Sequence, residues 1–141
     1  GFRTVNIIAH TDKLFPPNGV YATATVYDGA LYYGVTNVGY NPTVNGKHKT
    51  VETNLFGFDK VIYGEPIMTF FFQWLRDENK FPSVEHLREQ LGQDVEASKN
   101  YFKSEKYRYW KEKIESCYLP FRVVSNWKYH SESAKFGMLG K

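Results

Sequence analysis

From Val20 to Tyr27 the chain alternates without a break. Val20, Ala22, Ala24 and Val26 fall on one side, and Tyr21, Thr23, Thr25 and Tyr27 on the other. A period of two over eight residues is the pattern of a strand and excludes a helix there. Asp28-Gly29 follows, a pair suited to a two-residue hairpin turn, and Leu31 to Val38 is the predicted returning strand. Similar short segments surround this pair. Thr4 to Ala9 is short and β-branched, and Leu14 to Gly19 is a loop because neither Pro16 nor Pro17 can donate to a ladder. Gly39-Tyr40-Asn41-Pro42 predicts a turn and Asn45-Gly46 another. Lys49 to Phe58 reads as a strand, Tyr63-Gly64 as a break, and Pro66 to Leu75 as the last clear strand of this half. Short strands joined by tight turns, with no βαβ rhythm, predict an antiparallel barrel or sandwich.

The pattern changes after Phe81. Ser83 is a suitable N-cap, and Glu85 places a carboxylate in the first helical turn. Val84, Leu87, Leu91 and Val95 recur at spacings of three and four, so this stripe is the expected docking face. The helix is expected to continue through Ala97 and Phe102, with Gly92 tolerated inside it at some cost in propensity. Lys103 to Ser116 predicts a second helix, ended by Pro120. Phe121 to Tyr129 is strand-like again, and Ser131 to Lys141 is polar and glycine-bearing, a predicted loop. There is no internal repeat and no low-complexity tract.

Composition narrows the function classes. The 141 residues suit one domain, and 42% hydrophobic with 18% aromatic content argues for a packed core. A net charge of +3 without a dense Lys/Arg run gives no basis for nucleic-acid binding. The single Cys117 excludes an intramolecular disulfide and a cysteine-based zinc site. No apolar run reaches the ~18 residues that a membrane-spanning helix needs, and the N-terminus lacks the blocks of a signal peptide. The expectation is a monomeric, cytoplasmic, soluble protein with small-molecule partners.

The sequence holds no P-loop, no Gly-x-Gly-x-x-Gly run and no Gly-x-Ser-x-Gly elbow. His10, His48, His86 and His130 have no ligand-like spacing. Three segments carry possible chemistry. In Gly1 to Ile7, Thr4 and Asn6 lie two apart on an extended segment, so a hydroxyl and an amide oxygen share one side. Such a pair can hold a hard cation and orient phosphates, or it can simply be solvated. In Lys49 to Leu55, Glu52 lies in mid-strand with Thr50 and Asn54 on its own face. It can line a barrel mouth and serve as base to an alcohol, or stand exposed. In Phe70 to Phe81, Arg76 ends the strand ahead of a charged loop, where it can steady a phosphate, stack on a ring, or belong to a solvated turn.

In this order, the segments resemble the riboflavin kinase domain, which also forms the C-terminal half of bacterial bifunctional FAD synthetases. The matching stretches are Gly19 to Ala22, Tyr33 to Thr43, Thr50-Val51-Glu52, Tyr63-Gly64-Glu65, Leu75 to Phe81, and Leu87 with Asp94-Val95, within residues 1–102. The resemblance implies a mainly β fold: a closed six-stranded antiparallel barrel with a C-terminal helix packed against it, in a single domain spanning 1–141. It implies transfer of the ATP γ-phosphate to the ribityl 5′-hydroxyl of riboflavin, giving FMN, with Mg2+ accompanying the nucleotide. Glu52 matches the family's base, and Thr4 and Asn6 match the nucleotide and magnesium positions of its Gly-Phe-Pro-Thr-Ala-Asn loop. Arg76 falls in the flap near the flavin, and Tyr63 and Gly64 fall on the adenine side.

Two departures stand out. Arg3 replaces the loop's proline and Val5 its alanine, which frees the backbone and adds bulk beside the phosphates. A catalytically weak flavin- or nucleotide-binding module is therefore the alternative reading. The family also begins with a strand and phosphate loop ahead of this motif. Residues 120–141 resemble that opening segment, which suggests a circularly permuted domain with 103–119 as helical connector. An adenylyltransferase domain is the partner the resemblance implies elsewhere.

Overall fold

A computed structural model describes residues 4–7, 16–44, 46–60, 62, 67–117 and 122–124. The strands are β1 (Thr4–Ile7), β2 (Gly19–Tyr27), β3 (Ala30–Thr43), β4 (Gly46–Leu55), β5 (Met68–Arg76) and β6 (Arg122–Val124). Two helices, α1 (Val84–Phe102) and α2 (Glu105–Cys117), lie between β5 and β6. The sheet runs β1-β4-β3-β2-β5 with all four ladders antiparallel, and β6 pairs with β3 in parallel. Among the described residues no ladder joins β1 to β5, so the path is open at those two edges. The expected mainly β, antiparallel architecture is present, with a helix packed on the sheet.

The β2–β3 hairpin turns where the sequence predicts. Asp28 has φ 48° and Gly29 φ 72°, so both turn residues are left-handed, as a tight hairpin matching strand twist requires. The predicted turn at Gly39 to Pro42 is instead strand: β3 runs on to Thr43, with Pro42 opposite Lys47 and Thr43 opposite Gly46. β2 ends opposite Val38, so beyond that point β3 pairs only with β4 among the described residues. Pro42 sits in this two-stranded arm near its tip, where a missing backbone donor is tolerated. β4 accordingly starts three residues earlier than Lys49 and ends at Leu55 rather than Phe58.

The two faces of the sheet are buried differently. Val20, Ala22, Ala24, Leu31, Tyr33 and Val35 pack with Val95, Phe102 and Tyr107 of the helices. Tyr33 stacks on Phe102 with centroids 4.3 Å apart, and Ser98 Oγ donates to Gly34 O at 2.7 Å. The predicted docking stripe thus packs through its later part, where Leu91 and Val95 meet the core, while its first residue does not. Val84 is 62% exposed, while Val95, Ser98 and Phe102 are buried. The opposite face carries a fully buried row of hydroxyls: Thr36 Oγ1 lies 2.8 Å from Thr23 Oγ1 and 2.6 Å from Thr53 Oγ1. Tyr21, Val38 and Val51 are buried beside it.

Ser83 caps α1 as expected, its Oγ accepting from His86 N at 3.2 Å. No helix among the described residues is long and apolar enough to cross a membrane.

Candidate active site

One row of residues crosses five strands. Arg76 on β5 pairs with Val20 on β2, Val20 with Asn37 on β3, Asn37 with Glu52 on β4, and Glu52 with Asn6 on β1. Directly paired residues of antiparallel strands belong to one face, and here it is the α1-facing one, since Val20 packs in that core. In the next row but one, Thr4 pairs with Asn54 and Asn54 with Val35. The sequence-predicted base and the Thr4/Asn6 pair are therefore neighbours in backbone register, although about 46 residues apart in sequence.

Glu52 is half-buried, with no hydrogen bond or ion pair among the described residues. Burial pushes its carboxyl above the ordinary glutamate range, and the negative charge of Glu78 adds to the shift. The amide oxygen of its partner Asn37 is buried and unbonded among the described residues. A carboxylate held at raised proton affinity is a better base than a solvated one.

Glu78 comes from the loop between β5 and α1. Its carboxylate fills the volume that a Cβ on Gly39 would occupy, and Gly39 lies on the same face as Asn37 and Glu52, opposite Thr50. Sequence reasoning missed Asn37, Gly39 and Glu78. Alternation along β3 assigns Asn37 to the face opposite Thr36, but only cross-strand register brings it to Glu52. Nothing local to Glu78 announces its seat on a glycine 39 residues earlier.

Arg76 is committed within the fold. Its Nε and Nη2 donate to the two carboxylate oxygens of Asp94 on α1, each at 2.8 Å, and Nη1 donates to Asp77 O at 2.9 Å. Phe81 lies against the guanidinium, 5.5 Å from its centroid. With Asp94 3% exposed, this fork ties the end of β5 to the helix and fixes the start of the Glu78 loop. Tyr63 and Gly64 lie outside the described residues, as do Arg3 and the segment 125–141.

No cluster of three or more His, Cys, Asp or Glu side chains among the described residues forms a ready metal cage. The donor chemistry in this region consists of hydroxyl, amide and carboxylate oxygens. That suits a hard cation delivered with phosphates rather than a resident transition metal.

These features define a β-rich domain with helices packed on one face of its sheet, the face to which the paired row of Asn37 and Glu52 belongs. The family model for riboflavin kinase matches residues 1–102. A bifunctional riboflavin kinase/FMN adenylyltransferase of Haemophilus influenzae is 40% identical over 105 residues, covering 74% of this chain and 34% of that protein. Its Bacillus subtilis counterpart is 36% identical, covering 72% of this chain and 33% of that protein. A solved structure described as a macrolide-efflux protein from Streptococcus pneumoniae superposes with a TM-score of 0.65 at 34% identity, covering 69% of this chain and 32% of that one. The chain belongs to the riboflavin kinase family, and it spans about a third of the length of these relatives.

Proposed function

We propose that this domain is an ATP:riboflavin 5′-phosphotransferase, with Glu52 as the base that orients and deprotonates the ribityl 5′-hydroxyl. The observation that carries this reading is the register Asn37–Glu52–Asn6, which makes the half-buried carboxylate the neighbour of the nucleotide-loop residues. An alcohol needs a base within hydrogen-bond reach, and a carboxylate with no hydrogen bond among the described residues can supply it. Transfer of a phosphoryl group otherwise depends on positioning and on neutralising charge at its oxygens. Thr4 and Asn6 would hold magnesium and the triphosphate on the β1 side. Magnesium would supply charge neutralisation there.

The finer assignments follow from the same frame. Arg76 acts by holding the β5–α1 loop to Asp94, at the edge of the flavin side. Tyr63 and Gly64 are proposed for the adenine side from the family match alone. Closure of the sheet into the family's barrel is supported by the burial of its helix-free face, where Thr23, Thr25, Thr36 and Thr53 are all fully buried. β6 pairs with β3 at Ala30 to Tyr32, beyond the point where β4 ends opposite Gly34, and it runs in the same direction as β1.

The test is direct. The purified chain is incubated with riboflavin and magnesium-ATP, and FMN is followed by chromatography. Time-dependent FMN supports the kinase. Tight flavin binding without turnover favours the binding module, with Arg3 and Val5 as the first positions to revert to proline and alanine.

A further inference from the structure

The β5–α1 loop carries a charged group that the proposed reaction does not use. Glu78 follows Arg76 by two residues, and the fork to Asp94 fixes the loop at that point. From there Glu78 reaches back over β3 and settles on Gly39, the one residue type that leaves room for it. Its carboxylate has no hydrogen bond or ion pair among the described residues. The same holds for Glu52, and the Asn37 amide oxygen is buried and unbonded. Two carboxylates and an amide oxygen therefore share one face of β3–β4, none of them hydrogen-bonded among the described residues.

Such a surface suits a ligand that brings donors and carries no charge. A polyol does so through its hydroxyls, whereas phosphorylating one of them replaces a donor with negative oxygens. The lateral order matters too. Gly39 and Asn37 are on β3, Glu52 on β4, and Asn6 on β1, so Glu78 stands on the side of Glu52 away from the nucleotide-loop residues.

We propose that Glu78, seated on Gly39, is a specificity-determining residue that favours the uncharged polyol substrate at Glu52 and repels the same molecule once it is phosphorylated. The inference rests on the kinase reading above. It gives the site a reason to release its product: once the nucleotide and its cation leave, the new phosphate faces two carboxylates. Like charges near a partly exposed site weaken binding without requiring any movement of the fold.

The experiment measures riboflavin and FMN dissociation constants by flavin fluorescence, without nucleotide, at low and high salt. In Glu78→Gln the FMN affinity should rise roughly three- to tenfold at low ionic strength, with riboflavin unchanged within about twofold, and salt should shrink the difference. Gly39→Ala supplies a second variant that keeps the charge but drives the carboxylate from its seat. It should move the riboflavin-to-FMN ratio in the same direction, and the double variant should add little to Glu78→Gln alone. A ratio unchanged in both single variants, with riboflavin still bound by the wild type, overturns this inference alone. A wild-type chain that binds neither flavin overturns the kinase reading and this inference with it.

Discussion

Asn37 stands directly across the β3–β4 ladder from Glu52, and its amide oxygen is buried without a hydrogen bond among the described residues. Asn37→Asp should place a further negative charge directly across from Glu52. It should weaken binding of magnesium-ATP and slow phosphoryl transfer while leaving the β3–β4 ladder intact, because the backbone pairing does not depend on the amide. Steady-state kinetics in riboflavin and ATP, with circular dichroism as the control on fold, would check this. Wild-type kinetics in the variant would show that Asn37 lies outside the site.

The raised proton affinity of Glu52 has a consequence for stability. In the pH window between its unfolded and folded pKa, the native state holds the proton more often than the unfolded state. Stability is therefore full below the unfolded value and declines as pH rises through the folded one. Glu52→Gln should remove that decline, so the variant gains stability relative to wild type from mildly acidic to neutral pH. Urea unfolding at a series of pH values measures it, and parallel profiles for the two proteins would contradict the assignment.

Removing one partner of the Arg76–Asp94 fork leaves the other without its charge in a mostly buried place. Asp94→Asn or Arg76→Ala should cost stability toward the lower end of the ~3–5 kcal/mol seen for broken buried pairs, since the arginine side is 18% exposed. The same change should raise the KM for riboflavin more than it lowers kcat, because the loop bearing Glu78 loses its anchor. Denaturant titration and kinetics read the two effects separately. A variant with wild-type KM would detach the loop from flavin binding.

Gly34 offers a purely structural test. A Cβ there would run into the carbonyl oxygen of Asn54 and lie 3.1 Å from the carbonyl carbon, both backbone atoms that cannot swing aside. Gly34→Ala should destabilise by about 1–3 kcal/mol through forced separation of β3 and β4. Thermal unfolding checks it, and an unchanged midpoint would mean the two strands are less closely held than described.

Much of this fold is written locally. The alternation in Val20 to Tyr27, the Asp28-Gly29 turn and the Ser83 cap each depend on residues close in sequence, and each is present. What escaped the sequence was set by distant partners. Gly39 to Pro42 looks like a turn but is held extended by pairing with Lys47 to Thr50. Val84 fits the helical stripe yet is exposed, because the docking contact is made about three to five turns later by Val95, Ser98 and Phe102. The site divides in the same way. Glu52 was legible as a mid-strand carboxylate with polar neighbours, whereas the seat of Glu78 on Gly39 and the grip of Asp94 on Arg76 arise only once β5, α1 and β3 meet.

The most direct measurement compares initial rates of FMN formation by wild type and Glu52→Gln with saturating riboflavin and magnesium-ATP, alongside riboflavin affinity by fluorescence. The account predicts a loss of roughly a hundredfold or more in rate, the scale of a removed general base, with flavin binding retained. A Glu52→Gln protein that makes FMN at the wild-type rate would contradict it.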